Sequence, residues 1–229
     1  MAGGLFSLTK IRDLTKGQRY LSFDISPMIE IKNWETKMSN RNIYLEVGAL
    51  NLNKIDHFLQ THNKDEWMFH LFEPNPIPIV NIKREMEERD LPNIKLWEVA
   101  AGVAGGRVVF YPGHRSVGHA GGTLLKGKYK YVDYDHPIEV DCIDFNQWIK
   151  DNIREDDNVY MNMDIEGAEY QVLPKMIEDG SIDLISMAEI ELHSGKFNES
   201  NRVELSKIHG ELKQFFLQDK FKDFLLYRL

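Results

Sequence analysis

The sequence has a single cysteine, Cys142, among 229 residues. One thiol cannot form an intramolecular disulfide, and it also excludes a zinc site built from cysteines. Basic residues are scarce as well, with 28 lysines and arginines against 36 acidic residues, a net charge of -8. Because nonspecific binding to nucleic acid needs a basic face, we expect no nucleic-acid partner. Only Lys126, Lys128 and Lys130 leave room for a local basic patch.

Long hydrophobic runs are missing too. No apolar stretch approaches the roughly 20 residues that cross a bilayer, so the sequence predicts no membrane span. The first residues have no apolar segment typical of a cleaved secretory signal. Together with the lone cysteine, this favours a reducing compartment and predicts a cytoplasmic protein. Hydrophobic residues still make up 42% of the chain, enough for the core of one α/β domain.

Apolar runs and amphipathic segments alternate from residue 42 onward, whereas residues 1–41 are mixed in character. We therefore predict an N-terminal extension, residues 1–41, packed on a main domain of residues 42–229. The runs predict strands at 43–48, 67–72, 94–101, 108–111, 138–143, 159–163 and 184–192. Between them the spacing predicts helices at 54–60, 79–89, 145–151, 170–178 and 202–217. This order predicts an α/β fold with a mostly parallel central sheet and helices on both faces.

Ligands of such sheets bind outside the carboxyl ends of the strands, so the residues that end each strand are the candidates for a site. Glu46 and Gly48 close the first strand, and Glu73 closes the second. An acid at the end of strand two commonly accepts hydrogen bonds from the hydroxyls of a ribose. This pattern predicts a cofactor that contains adenosine.

The first turn, Gly48 to Asn53, contains only one glycine. A dinucleotide site needs several glycines, because the pyrophosphate lies against bare backbone. Leu50 and Leu52 would crowd a pyrophosphate, and Glu46 would repel it. S-adenosylmethionine has no phosphate and carries two cationic groups, so the turn favours it over NAD. A nicotinamide-dependent oxidoreductase is the weaker alternative.

Five short segments carry a family resemblance. They read EVGA at 46–49, FEPN at 72–75, VDCIDF at 140–145, NMDIEGAE at 162–169 (followed by Val172 and Leu173), and IELH at 190–193. In this order they resemble the FkbM family of S-adenosylmethionine-dependent methyltransferases. The resemblance implies a Rossmann-like class I methyltransferase fold and methylation of hydroxyl oxygens. It also implies a carbohydrate or glycan as the methyl acceptor.

The same resemblance implies a set of cofactor contacts. The residues predicted to bind the cofactor are Glu46, Gly48, Ala49, Asn51, Glu73, Pro74, Ala100 and Asp164. Two positions depart from the family pattern, since Glu46 stands where aspartate is usual and Leu52 where a second glycine is usual. These departures favour the main alternative, a catalytically degenerate Rossmann-like binding or scaffold protein.

A hydroxyl is a poor nucleophile, so methyl transfer to it needs a base or a metal ion near the acceptor. The candidates are Asp164, Glu166, Glu169, Glu191 and His193. We predict Asp164, His193 and Glu191 as catalytic residues, and Asp164 with Glu191 as ligands of a possible Mg²⁺ ion. Glu189, Glu191 and His193 alternate, so they should project from one face of their strand. The competing interpretation of Glu169 is a residue that only favours the dipole of the next helix.

Residues 112–136 are rich in glycine, histidine, lysine and tyrosine, which predicts a long loop. We interpret it as a cover over the acceptor, with sugar-type contacts available from His114, Arg115, His119, Thr123 and Tyr129. The alternative is a solvated surface loop.

Near the end of the chain, the phenylalanines predict internal packing, and an exposed subset of them predicts the seam of a homodimer. They are Phe215, Phe216, Phe221 and Phe224.

Overall fold

A computed structural model describes residues 40–89, 91 and 93–228. The predicted N-terminal extension, residues 1–41, lies outside the described residues except for its last two positions. Within the described part, every helix is too short or too polar to cross a bilayer.

The described residues form nine strands and five α-helices. The strands are β1 Asn42–Val47, β2 Trp67–Phe72, β3 Ile94–Trp97, β4 Ala100–Gly102, β5 Gly106–Phe110, β6 Ile138–Asp144, β7 Asn158–Met163, β8 Met187–Leu192 and β9 Phe224–Arg228. The helices are α1 Asn53–Phe58, α2 Pro76–Glu88, α3 Phe145–Asn152, α4 Glu169–Glu178 and α5 Glu199–Phe216. Most predicted elements are confirmed to within a few residues.

Six strands form the central sheet in the order β3-β2-β1-β7-β8-β9, and each neighbouring pair runs parallel. The order reverses direction between β1 and β7, so the carboxyl ends of these two central strands flank the switch point where such folds bind ligands. In register, Val47 of β1 lies opposite Phe72 of β2 and Met163 of β7. Every residue that follows these positions therefore emerges at one edge of the sheet.

Alternate residues of β1 pack into different halves of the core. Ile43, Leu45 and Val47 join a large cluster that includes residues of α3, α4 and α5. Tyr44 joins a smaller cluster on the other face, with residues of α1 and α2. A parallel strand buried on both faces needs such helices on each side, which confirms the predicted α/β Rossmann-like class.

One predicted strand, residues 94–101, is wrong because it spans two elements. The chain leaves the central sheet after Trp97, which pairs with Phe72. It then pairs Ala100 with Cys142 in a second, three-stranded sheet of order β4-β6-β5. Gly102 allows this close pairing, since a Cβ there would lie 2.5 Å from the sulfur of Cys142. A mainly apolar run cannot reveal that its two ends belong to different sheets.

The predicted loop 112–136 contains a short 3₁₀ helix, Arg115–Val117, and isolated bridges such as Tyr111 with Thr123. The chain therefore has local order there without a long strand or α-helix.

The C-terminal phenylalanines pack on one another: Phe216, Phe221 and Phe224 are buried, with ring centroids 5.0–5.3 Å apart.

Candidate active site

The turn after β1 packs directly on the end of β7. The amide of Asp164 donates to the carbonyl of Val47, and the amide of Gly48 donates to the carbonyl of Phe72. Gly48 has φ +94°, and a Cβ on it would lie 2.0 Å from the carbonyl oxygen of Asp164. Only glycine fits this close approach, which joins the ends of three central strands.

Glu46 is buried beside this turn. Its Oε2 accepts a hydrogen bond of 2.5 Å from the hydroxyl of Tyr44, and among the described residues Oε1 has no hydrogen-bond partner. Burial raises the pKa of Glu46 to about 7, against the opposing effects of Lys54 and Tyr44. A carboxylate held in this way needs a cation to compensate its charge.

Lys54, the second residue of α1, supplies a cation. Its Nζ donates to Oδ1 of Asn162 at 2.8 Å and to Oδ2 of Asp164 at 3.3 Å. The same Nζ lies 3.6 Å from Oε1 of Glu46. Burial by itself raises the pKa of Asp164, but Lys54 and His193 outweigh burial and hold that pKa below its usual value.

Glu73 binds the backbone of two turns at once. Its Oε2 accepts from the amide of Leu50 at 3.0 Å, and its Oε1 accepts from the amide of Asn75 at 2.7 Å. Burial raises the pKa of Glu73 to about 7, although these amides oppose the shift. Each carboxylate oxygen can still accept a second hydrogen bond. Glu73 can therefore brace the turn after β1 and also bind a ligand hydroxyl.

A cavity of about 110 Å³ opens at these strand ends. Five of the predicted cofactor residues line it, namely Gly48, Glu73, Pro74, Ala100 and Asp164. The other three lie elsewhere. Glu46 is buried outside the lining, Ala49 packs in the smaller apolar cluster, and Asn51 borders a neighbouring surface depression.

His193 follows β8 and is completely buried among carboxylates. Its Nδ1 lies 2.8 Å from Oε1 of Glu169, which also accepts from the His193 amide at 3.0 Å. Its Nε2 lies 3.4 Å from an oxygen of each of the three acids Asp164, Glu166 and Glu191. Burial lowers the pKa of His193, but Glu169, Glu191 and Glu166 outweigh burial and raise it to about 10. The structure thus brings together all three predicted catalytic residues.

The comparison with protein families gives one match. A model described as the methyltransferase FkbM domain covers residues 46–226, most of the chain. The chain belongs to the FkbM methyltransferase family. Comparisons with curated proteins and with solved structures give no significant match.

Two residues of the FkbM domain's site have roles that the sequence did not indicate. Glu169 is fully buried and contacts His193, although its position at the start of α4 is typical of an acid that only interacts with the helix dipole. The sequence also did not identify Lys54 as a residue of the site. A lysine in the first turn of a helix opposes the helix dipole, which is a weak signal that another partner holds it.

Lys128 does not belong to the local basic patch that the sequence left open. Its side chain is fully buried, with Nζ 2.6 Å from Oε2 of Glu166 and 2.6 Å from the carbonyl oxygen of Gly121. Lys196 also approaches Glu166, at 3.3 Å. A buried ammonium needs such a partner, so Lys128 anchors the loop to the FkbM domain's site and is not part of a surface patch.

Leu52, where the family pattern has glycine, is fully buried in the smaller apolar cluster of the FkbM domain. It does not line the cavity at the strand ends. Its bulk therefore lies in the apolar core and not in the cavity wall.

Proposed function

We propose that this methyltransferase transfers a methyl group from S-adenosylmethionine to a hydroxyl oxygen of a carbohydrate or glycan. The observation that supports this most directly is Asp164, which lines the cavity and has a buried Oδ1 without a hydrogen-bond partner among the described residues. Such an acceptor suits a cationic, phosphate-free ligand. Glu46, buried behind the wall, adds negative charge to the same edge of the sheet.

In this proposal Glu73 accepts the ribose hydroxyls, and Ala100 borders the adenine. Gly48 and Pro74 form the adjoining wall, and Asp164 lies beside the sulfonium. Ala49 and Asn51 stay predictions from the family resemblance. The cofactor supplies an activated methyl group whose leaving group is a neutral thioether.

The protein's task is then to align the acceptor hydroxyl, exclude water and take up a proton. Apolar wall residues, including Phe72, Phe110 and Leu124, support exclusion of water from the cavity. Asp164 is positioned to accept the hydroxyl proton because it lines the cavity and its Oδ1 has no hydrogen-bond partner among the described residues. His193 lies 3.4 Å from the same carboxylate and would hold its orientation and charge, while Glu191 lies 3.4 Å from His193 and would orient the imidazole.

The loop 112–136 supports a sugar acceptor. His119, Gly121 and Gly122 line the cavity. Nearby in the sequence, Tyr129 and Tyr131 are 56% and 54% exposed, so their rings are available to stack on the faces of sugar rings. A cytoplasmic location and a homodimer stay predictions, as does the absence of a nucleic-acid partner.

Calorimetry tests the cofactor. We expect S-adenosylmethionine and S-adenosylhomocysteine to bind the full chain and NAD not to bind. A chain that binds neither adenosyl compound would be the degenerate scaffold, and binding of NAD alone would favour the oxidoreductase.

Methyl transfer from labelled cofactor to a panel of sugars and glycans tests the reaction. We expect Asp164→Asn to lower kcat by about a hundredfold, the usual contribution of a positioned base. The exposed Asp156→Asn is the matched control and should keep full activity. Full activity in Asp164→Asn would show that Asp164 is not the base that accepts the hydroxyl proton.

A further inference from the structure

We propose that Asp164, Glu191 and His193 bind one divalent first-row transition-metal ion, such as Mn²⁺, Fe²⁺ or Zn²⁺. Binding of the ion is independent of the methyl-transfer reaction. Only its role beside the acceptor hydroxyl rests on the proposed function.

The separations of the three donor atoms fit a shared ion. One ligand atom from each residue lies within 4.8 Å of the other two. Nε2 of His193 lies 3.4 Å from Oδ1 of Asp164 and 3.4 Å from Oε1 of Glu191. Ligands bound at about 2.1 Å in a tetrahedral arrangement lie about 3.4 Å from each other. An ion can therefore enter between these atoms with little rearrangement.

His193 is already oriented as a metal ligand. Its side chain is fully buried, and Glu169, also fully buried, fixes Nδ1 at 2.8 Å. Metal-binding histidines commonly have a carboxylate on the second ring nitrogen, which sets the tautomer and raises the basicity of the ligand. Nε2 points at the acids but has no hydrogen-bond partner among the described residues, and neither has Oδ1 of Asp164. A metal ion bound to both of these buried atoms, which lie 3.4 Å apart, would satisfy them together.

The charge balance around His193 also favours a divalent ion. Two of the nearby lysines, Lys128 and Lys196, pair with Glu166, and Lys54 lies between Glu46 and Asp164. Within the described residues, no lysine or arginine forms an ion pair with Glu169 or Glu191. A neutral imidazole leaves these two negative charges uncompensated. One divalent ion balances both, whereas a proton on His193 balances only one.

The donor set decides the class of metal. The sequence predicted Mg²⁺ on two carboxylates, but Mg²⁺ prefers oxygen ligands and keeps several waters. An imidazole nitrogen as the third ligand favours Mn²⁺, Fe²⁺ or Zn²⁺. Asp164 borders the cavity, so an ion on its Oδ1 would lie beside the acceptor hydroxyl and lower the pKa of that hydroxyl. With the ion bound, Asp164 would act on the hydroxyl through the ion and not as the free base of the metal-free site.

The test is metal binding to the full chain after chelation and dialysis, without cofactor or acceptor. Mn²⁺ and Zn²⁺ are titrated by calorimetry, with Mg²⁺ for comparison. We expect one ion per chain, bound at least tenfold more tightly than Mg²⁺. No saturable binding of Mn²⁺ or Zn²⁺, or tighter binding of Mg²⁺, would overturn the assignment.

Isosteric variants identify the ligands without removing side-chain volume. Glu191→Gln should weaken Mn²⁺ binding by about a hundredfold. Glu169→Gln, a positioning variant, should weaken it by roughly 10-fold to 100-fold. The matched control is Glu189→Gln, on the same face of β8 but paired with Tyr160, and it should bind as the unchanged chain does. Unchanged affinity in folded Glu191→Gln would refute the site.

A separate titration with S-adenosylhomocysteine distinguishes the two proposals. Metal binding without cofactor binding would support the metal site and reject the proposed methyl transfer from S-adenosylmethionine. Cofactor binding by a chain that binds no metal would support the proposed function and reject the metal site.

Discussion

At the scale of single residues, Lys54 is the most informative side chain of the site. It occupies a position between the buried Glu46 and the half-buried Asp164, where the proposed cofactor would bring cationic groups. The lysine stabilises these acids when no ligand is bound. The same contact makes Lys54 a competitor of any cation that approaches them.

Removing the charge of Lys54 should strengthen binding of a cationic cofactor. We expect Lys54→Met to bind S-adenosylmethionine about tenfold more tightly, equivalent to about 1.4 kcal/mol. The gain should be smaller for S-adenosylhomocysteine, whose sulfur is neutral. Calorimetry of both ligands checks this, with the exposed Lys213→Met as control. Weaker binding would contradict the prediction and would mean that Lys54 pairs with the cofactor's carboxylate.

At the scale of elements, the turn after β1 and the strand ends that meet it determine the geometry of the site. Gly48 contacts the backbone of Asp164, and Glu73 braces Leu50. At the opposite end of the sheet, Arg41 and Asp157 join the residues that precede β1 and β7. The Gly48–Asp164 contact and the Arg41–Asp157 pair hold β1 and β7 together at their two ends, and the switch point lies between those strands.

Gly48→Ala should be strongly destabilising, because the new Cβ would clash with the Asp164 carbonyl and φ is positive. We expect a loss above about 2 kcal/mol in the free energy of unfolding. Gly180→Ala is the matched control, since Gly180 has φ +78° but open space around it. The free energy of unfolding of that variant should fall by only about 1 kcal/mol, the cost of placing alanine in this backbone conformation. Denaturant unfolding that gives equal losses for both would disprove the role of the close approach.

The Arg41–Asp157 pair should contribute stability that depends on pH. Burial by itself raises the pKa of Asp157, but hydrogen bonds from Arg41 and the Arg154 amide outweigh burial and lower it. A lowered pKa stabilises the fold above the unfolded-state value of about 3.9, and this stabilisation is lost as pH falls through the folded-state value. Asp157→Asn should therefore cost about 3 kcal/mol at pH 7 and less below about pH 4.

Denaturant unfolding at pH 7 and at about pH 3.5 measures this difference. The exposed neighbour Asp156 provides the control, because Asp156→Asn should change stability little at either pH. A loss in Asp157→Asn that is the same at both pH values would contradict the assignment.

At the scale of the whole molecule, the cavity is small for the proposed cofactor. Its volume is about 110 Å³, whereas sites for drug-sized ligands are typically about 300–1,000 Å³. Leu50 of the first turn and residues 119–122 of the loop form part of its wall. Most of the remaining wall comes from β2, β4 and β5 and from the turns that follow β2 and β7. The loop and the turn are therefore the parts that can move to admit a ligand.

Binding of S-adenosylhomocysteine should change the protection of the loop. We expect slower amide hydrogen exchange in residues 112–125 with the ligand bound, because closure over it shields these amides. Residues of α5 that lie away from the cavity serve as the internal control. A bound state with unchanged exchange throughout 112–125 would exclude closure of the loop on the cofactor.

The sequence predicted the fold class and most strand ends, because buried parallel strands appear as short apolar runs that end in polar residues. It also placed Asp164, Glu191 and His193 together, since consecutive parallel strands bring their carboxyl ends to one edge. It failed at residues 94–101, where one apolar run serves two sheets. It left Lys128 open as part of a local basic patch, because a lysine in a polar loop resembles any solvated lysine.

By itself, then, the sequence determined the order of strands and helices, the family and the acidic character of the strand ends. These follow from local periodicity and from motifs of a few residues. Only the tertiary structure decided which charges meet. Glu169 reaches His193 from 24 residues away, and Lys54 reaches Asp164 from 110 residues away. Burial strengthens the pairing of Glu169 with His193, and burial depends on how the helices and the loop pack over the sheet, which local sequence does not encode.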